Sequence, residues 1–477
     1  MKTFGNLLTF SPELWLLIGA IVVFALARFT SGRTTTVVAL ITLLVAFLAL
    51  ATQFKDTITI LSGAFKLDGF AIVSDVVILA VAALALLTTN ADILPGERNA
   101  PTVPGFFLLA TLSAMLAVSA AEMIAVFLAL ELLAVNLYVL TGLARRGPGA
   151  SAVSLGYLVL GGASSGFLIY GLALIFGLTG QTQLHTAGSA LSQVKPTQAA
   201  ALLALSLLLG GFAVRMGLVP VRWWSRTFEV GVPLRIVLLI ESVGVVAAFA
   251  VFARLLATTF AGTKLPYAAL LAGLAAIAMT AGNLIAVMQT SIRRLLVYSM
   301  IAQAGFGLAA FTNVKGGGLS ALLVFLAALA LTSAGAFATV IAYGRSVHSD
   351  AISDMAGMAR ATPALALLLA ITLLSLAGLP PLAGFLGKLL IMQAAVDGGY
   401  TWLVVIAAAN IVIAALGYLR VIRTIFIDPP VFEVVPARLD RGIQTALSLA
   451  GAGMVFMGLF MEPLYRAASY GGAALLH

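Results

Sequence analysis

Apolar stretches of about 20 residues, each long enough to cross a bilayer as a helix, follow one another along almost the whole chain. Of the 477 residues, 62% are hydrophobic and only 9% are charged, whereas soluble domains carry roughly 25% charged residues. The apolar windows lie at about 14–29, 36–53, 70–89, 103–120, 122–143, 152–178, 198–219, 233–259, 266–288, 294–312, 318–343, 363–395, 400–426 and 442–463. The sequence therefore predicts an all-α polytopic membrane protein with about 14 transmembrane helices.

The connections between these windows are short, and even the longest, 179–197 and 344–362, cannot form a soluble catalytic domain. The chain contains no cysteine, which excludes disulfides, thiolate metal sites and iron–sulfur clusters held by this chain. Its net charge of +9 comes from basic residues scattered through short loops. This pattern favours anionic lipid and membrane topology, and not nucleic acid, as its explanation.

The arginine-rich loops follow the odd-numbered windows, and every loop with two adjacent arginines is among them. Since loops on the cytoplasmic side are enriched in lysine and arginine, the pattern predicts that both termini lie on the outer side of the membrane. The first window begins just after the acidic Glu13, with no basic region before it and no evident cleavage site. We interpret it as a retained transmembrane helix and not as a signal peptide.

Few ionisable residues interrupt the apolar windows, and each is costly to bury alone. The acidic ones are Asp75, Glu131 and Glu241, and the basic ones are Arg215 and Lys388. Asp75 lies close to the start of its window, which is typical of an interfacial residue. Glu131 lies near the predicted midplane, so its carboxyl group must be neutral or have a cationic partner.

Two windows that hold a basic residue also contain residues that break helices. Arg215 is followed by a proline, and Lys388 is preceded by a glycine and two prolines; the breaking residues are Pro220, Gly378, Pro380 and Pro381. Irregular backbone at membrane depth is tolerated only where it is buried in protein or lines a wet cavity. A broken helix with a buried cation therefore indicates an ion path.

The two broken helices are about five windows apart, so the two copies would enter the membrane from opposite sides. Inverted repeats of this kind are used by ion translocators. We therefore predict two inverted five-helix repeats, each with one discontinuous helix, within a chain of four parts. These are an N-terminal three-helix segment at 1–100, a first repeat at 101–260, a second repeat at 261–427, and a cytoplasmic linker with a C-terminal helix at 428–477.

Several segments carry a resemblance to a known family. They are Leu130-Glu131-Leu132-Leu133, the glycine- and serine-rich segment 156–180, Leu218-Val219-Pro220 with Trp224, the segment 293–306 and the segment 374–388. In this order and spacing they resemble the antiporter-like subunits of respiratory complex I, the NADH:quinone oxidoreductase. The serines and glycines of 156–180 are most similar to the bacterial subunit N family, which is related to mitochondrial subunit 2.

The resemblance implies a proton-translocating subunit of the bacterial inner membrane, which belongs to a translocase but carries no redox cofactor of its own. FMN, iron–sulfur clusters and quinone are then expected in partner subunits, and the partners include other antiporter-like and small membrane subunits. Glu131 matches the family's acidic residue on the fifth helix, which pairs with a lysine on the broken seventh. Lys388 matches the lysine of the broken twelfth helix, which passes protons outward.

The chain departs from the family pattern at positions that matter. Arg215 takes the place of the seventh-helix lysine, and a guanidinium does not deprotonate in proteins. A lysine expected on the eighth helix is Val245 here, with Glu241 one turn earlier. The histidine expected after Val-Pro is Arg222, and the histidine of the tenth helix is Gln303.

These residues are compatible with more than one function. In a rewired path, Glu241 titrates between a fixed Glu131/Arg215 pair and Lys388, and the supporting polar residues are Tyr138, Ser299 and Gln303. Alternatively, the chain no longer pumps and acts as a conformational or structural subunit, or Glu241 merely neutralises Arg215. A cation/proton antiporter of the Mrp type or a membrane-bound hydrogenase subunit would share the fold. We favour the rewired path because a lone carboxylate at Glu241 is costly without a task or a partner.

Overall fold

The computed structural model describes residues 11–53, 57–90, 93, 97, 99–143, 150–193, 198–218, 232–347, 349–430 and 439–476. Nearly all of them are helical. The helices are α1 Ser11–Ala27, α2 Gly32–Ala51, α3 Gly69–Thr89, α4 Val103–Ser119, α5 Met123–Leu143, α6 Ala150–Thr179, α7 Leu184–Gln193, α8 Gln198–Arg215, α9 Leu234–Phe260, α10 Tyr267–Val287, α11 Ile292–Ala309, α12 Leu319–Val347, α13 Pro363–Ala377, α14 Ala383–Asp397, α15 Thr401–Phe426, α16 Arg441–Leu459 and α17 Met461–Leu476. A one-turn helix, Met358–Ala361, precedes α13.

Ten stretches of the described chain are helical, long and apolar enough to cross a membrane, which confirms the predicted polytopic fold. One of them, Ile292–Val347, contains two of the predicted windows, and α1, α13 and Ala199–Arg215 are apolar but shorter. The predicted count of 14 is therefore not confirmed by length and composition. A helix that is broken within the membrane supplies two short pieces, and neither is long enough to be recognised alone. The division into inverted repeats stays a prediction.

The centre of the molecule is formed by α9, whose apolar window is buried on all sides. A helix that is hydrophobic all round is expected in the interior. Two π-helical turns interrupt α9, at Ile240–Gly244 and at Leu256–Phe260. The first of these turns contains Glu241, and π turns inside helices are frequent at functional sites.

The two ends of the bundle differ in their connecting structure. At one end, a two-stranded antiparallel hairpin pairs β1 Ile58–Ile60 with β2 Phe65–Leu67, and Phe65 bridges to Ala120 at the end of α4. We call this end, with β1, β2 and α7, the hairpin face. At the opposite end, which we call the arginine face, Arg293 donates a hydrogen bond to the Val232 carbonyl.

Large apolar side chains point outward around the bundle. Val159 on α6, Ile277 on α10 and Val405 on α15 are each more than 60% exposed, at 62%, 65% and 67%. Such a surface is unfavourable in water and suits the acyl chains of a bilayer. The perimeter therefore agrees with the membrane location that the composition predicts.

Candidate proton-transfer site

Glu131 on α5 and Arg215 at the end of α8 form an ion pair, although they are 84 positions apart in sequence. One guanidinium nitrogen of Arg215 donates to Glu131 Oε1 at 2.6 Å and to the Ser165 hydroxyl at 3.1 Å, and the other donates to the Leu130 carbonyl at 2.9 Å. The Ser165 hydroxyl donates in turn to Glu131 Oε1 at 2.5 Å. Residues of α5, α6 and α8 thus hold one compact cluster.

This cluster reaches the surface of the subunit. The Arg215 side chain is 11% exposed and the Glu131 side chain 27% exposed. Next to them, a side chain at Gly162 or Gly166 of α6 would meet open space. An ion pair whose edge faces hydrocarbon is strongly unfavourable. We infer that protein or water covers this edge in the membrane.

Tyr157 on α6 lies near both this ion pair and the π turn of Glu241, and sequence reasoning missed it. The Glu241 side chain is buried in the π turn of α9, at 3% exposed. Tyr157 is buried, at 7% exposed, and lies within electrostatic reach of both Arg215 and Glu241. Its ring packs edge-on against Tyr138, with the ring centroids 5.1 Å apart. The sequence signal for this position was a tyrosine near the start of a helix that is rich in glycine, alanine and serine.

A cavity of about 40 Å³ lies among these groups. Its lining includes Tyr138, Tyr157, Arg215 and Gly244, which closes the π turn of Glu241. A cavity needs roughly 10–15 Å³ of space open to the centre of a water-sized sphere to hold one water molecule. The space between the ion pair and the π turn can therefore accommodate water next to hydroxyl and guanidinium donors.

Lys388 on α14 is 1% exposed and lies against the break between α13 and α14. Its Nζ donates to the Leu376 carbonyl at 2.6 Å and to the Ala377 carbonyl at 3.3 Å, both at the end of α13. It also lies 4.3 Å from the centre of the Phe306 ring. The last carbonyls of a helix have no partner within it and carry partial negative charge, so the break stabilises the ammonium.

The break itself has a defined geometry. Gly378 ends α13 in the left-handed conformation, with φ +87°, and its N–H donates to the Leu374 and Ser375 carbonyls. The Ser375 hydroxyl hydrogen-bonds Thr332 of α12 and accepts from the Gly384 N–H. Pro380 and Pro381 lie in the connection that follows. Pro220, Arg222 and Trp224, of the other predicted break, lie outside the described residues.

Of the predicted supporting polar residues, Tyr138 lies near the Glu131/Arg215 pair and Gln303 lies near Lys388. Gln303 donates at 3.0 Å to the same Leu376 carbonyl that accepts from Lys388, whereas the Ser299 hydroxyl donates to its own helix. Tyr418 of α15 is buried beside Ser299 and Gln303 and was not identified from sequence. Its position as a tyrosine within the predicted window 400–426 was the available signal.

The structure thus collects the predicted residues into two groups. Glu131 and Arg215 contact each other near Tyr157 and the π turn of Glu241, whereas Lys388 shares its carbonyl partner with a neighbouring glutamine. α12 packs against both the π turn and α14, and so lies between the groups. In the described part of the chain, no carboxylate lies within ion-pair distance of the Lys388 ammonium.

Comparison with known proteins shows the family. Residues 120–414 match the model for the transmembrane region of NADH:quinone oxidoreductases and Mrp antiporters. The NADH-quinone oxidoreductase subunit N of Anaeromyxobacter sp. (strain Fw109-5) is 33% identical over 497 aligned positions, which cover 96% of this chain and 95% of that protein. The chain belongs to the subunit N family. The predicted resemblance is therefore confirmed over nearly the full length.

Solved structures agree with this subunit N assignment. A chain of respiratory complex I from Thermus thermophilus with bound aureothin is 26% identical, with a TM-score of 0.81, covering 95% of this chain and 98% of that chain. A chain of the Mrp complex from Dietzia sp. DQ12-45-1b superposes with a TM-score of 0.85 at 21% identity and covers 98% of both chains. At that identity the Mrp match shows a shared fold only.

Proposed function

We propose that this subunit N translocates protons within a bacterial NADH:quinone oxidoreductase whose other subunits carry out electron transfer. The buried Lys388 ammonium at a helix break carries the proposal. Burial disfavours its charged form, whereas two helix-end carbonyls and the Phe306 ring favour it. A small change in the surrounding charge can therefore shift this group between holding and releasing a proton.

The Glu131/Arg215 pair does not itself supply this change in charge. Because the Arg215 guanidinium does not deprotonate, the pair does not pass a proton through arginine but acts as a fixed dipole. Glu241 is the titrating group on that side, and Ile240 and Gly244 of its π turn line the water-sized cavity next to Tyr157 and Arg215. Proton transfer then runs from Glu241 toward the Lys388 group.

The surroundings of the subunit follow from the same proposal. The exposed edge of the Glu131/Arg215 pair fits against a neighbouring membrane subunit, as expected for a member of a multi-subunit complex. FMN, iron–sulfur clusters and quinone belong to partner subunits in this proposal. The arginine face lies toward the cytoplasm, and both termini lie on the outer side of the inner membrane.

Purified assemblies should contain flavin and iron–sulfur clusters and reduce quinone; an assembly without them indicates an antiporter of the Mrp type.

Replacing Glu241 by Gln tests the titrating role. The change keeps the shape of the side chain but removes its exchangeable proton, so we expect fewer protons translocated per electron in proteoliposomes. Glu462→Gln is the matched control, because Glu462 is exposed and pairs with Arg466 one turn away. Unchanged coupling in Glu241→Gln with normal assembly favours the second candidate function, a conformational subunit that no longer pumps, which Arg215 in place of lysine also supports.

Gly378 offers a test of the break. A Cβ at this position is strained by the left-handed backbone and would lie 2.8 Å from Lys388 Cδ. Gly399 has a similar φ of +85° but open space around it, so Gly399→Ala controls for the backbone strain. We expect both alanine variants to lose about 1–2 kcal/mol of stability and only Gly378→Ala to lower proton translocation. Equal translocation in the two variants would show that the position of Lys388 is not critical.

A further inference from the structure

Two acidic side chains that the path just described does not use, Glu13 of α1 and Asp75 of α3, are buried in the protein. Glu13 is 4% exposed and Asp75 is 0% exposed. Asp75 lies in the second turn of α3, close to the helix start as the sequence indicated, but it is enclosed by neighbouring helices, which the sequence did not show. A helix start in sequence does not show how much protein surrounds it.

No hydrogen-bond partner within the described chain meets any of the four carboxyl oxygens of Glu13 and Asp75. Leaving a buried polar group without a partner is unfavourable, and leaving a buried carboxylate without one is far worse. The Glu13 carboxyl group lies within electrostatic reach of Asp75. Two neighbouring carboxyl groups in a dry site cannot both be ionised.

The other charges that act on Asp75 are those of Arg254 on α9 and Asp68, which caps α3. Asp68 and Asp75 are seven positions apart and so lie on the same side of α3, two turns from each other. Both terminal guanidinium nitrogens of Arg254 donate to Asp68, each at 2.8 Å. Arg254 is thus neutralised by Asp68 and is not the counter-ion of a fully ionised Glu13/Asp75 pair.

The Asp68–Arg254 pair also lines a cavity that opens on the hairpin face. This cavity measures about 440 Å³, and its polar lining includes Lys66, Gln183, His185 and Thr258. Its volume is large enough for many water molecules. A wet, polar vestibule therefore ends at the same charged pair whose field reaches Asp75.

We propose that Glu13 and Asp75 together form a second proton-binding site, which exchanges protons with the hairpin face by way of the Asp68–Arg254 end of this cavity and shares no residue with the Glu131-to-Lys388 path. Its ligand is a proton: binding converts one carboxylate of the pair into a carboxylic acid. The site does not depend on whether Lys388 transfers protons.

Infrared difference spectroscopy of the assembled complex tests the site without any measurement of pumping. We expect an acid carbonyl band that persists at neutral pH, weakens in Glu13→Gln and in Asp75→Asn, and disappears in the double variant. It should also shift promptly when water is exchanged for heavy water. The control Glu462→Gln leaves this band unchanged because Glu462 is exposed. A band that survives in the double variant overturns the proposal, and a band that shifts only after hours overturns the route through the cavity.

Labelling with dicyclohexylcarbodiimide, an apolar reagent that attacks protonated carboxyl groups, supplies an independent measurement. We expect the reagent to modify Glu13 or Asp75 and to leave Glu462 unmodified. Complete protection by sodium ions at constant pH would mean that the pair binds a cation and would contradict the proton assignment. Because both readouts are made without turnover, a failure here is distinguishable from loss of translocation in the Glu241 or Gly378 variants.

Discussion

Replacing Lys388 by Arg is expected to abolish proton translocation through this subunit while the assembly still forms. The arginine keeps a positive charge beside the Leu376 and Ala377 carbonyls, but a guanidinium does not release its proton. The measurement is protons moved per electron in proteoliposomes, with a dye that reports internal pH. Lys388→Met should give the same loss, since it has no proton to transfer.

The control for this experiment is Lys315→Arg. Lys315 is an exposed lysine in the short turn before α12, and we expect that variant to retain wild-type coupling. Lys388→Met leaves the Ala377 carbonyl without its side-chain donor, which should destabilise the subunit by about 1–3 kcal/mol. Assembly must therefore be checked on native gels. A Lys388→Arg complex that pumps normally would show that deprotonation of this residue is not part of the mechanism.

The second large effect is expected at Arg254, whose replacement by Leu should destabilise the subunit by about 3–5 kcal/mol. Arg254 and Asp68 are 2% and 0% exposed, and Arg254 also donates to the Val118 carbonyl at 2.8 Å. Removing the arginine leaves the Asp68 carboxylate buried without its cation. Thermal dissociation of the subunit from the purified complex measures the loss.

Two further variants separate the causes of this destabilisation. Adding Asp68→Asn to Arg254→Leu should recover part of the stability, because it removes the uncompensated charge and keeps a residue that can cap α3. The matched exposed pair is Arg466–Glu462, with side chains 78% and 65% exposed, and Arg466→Leu should change stability by less than about 1 kcal/mol. Equal effects at Arg254 and Arg466 would contradict the importance of burial.

Several features of the site could be predicted from residue type and spacing. A lysine just past Gly-Leu-Pro-Pro predicted a helix break beside a buried cation, and the structure places Lys388 on the carbonyls of that break. Glu131 and Arg215 were expected to pair because an acid and a base inside apolar windows need each other, and they are 2.6 Å apart. These predictions depend on the low tolerance of a membrane for unpaired charge.

The positions of Tyr157, Tyr418 and the Glu13/Asp75 pair could not be predicted. In a soluble helix, a polar stripe shows which side faces water. In this chain most helices are apolar on every side, so sequence does not show how each helix is rotated or which side chains from distant windows meet. Tyr157 and Tyr418 become neighbours of charged or polar groups only through that rotation.

The amino-acid sequence alone determined that this chain crosses a membrane many times, that a small number of charges are trapped within it, and where the helix containing Lys388 breaks. These follow from the unfavourable transfer of charge and unpaired backbone into hydrocarbon, a local property of each segment. The tertiary structure alone decided which trapped groups adjoin one another, which acids have no partner in the described chain and which cavity opens toward them. Those facts depend on close packing between helices that are distant in sequence, and apolar surfaces of similar character can pack in many ways.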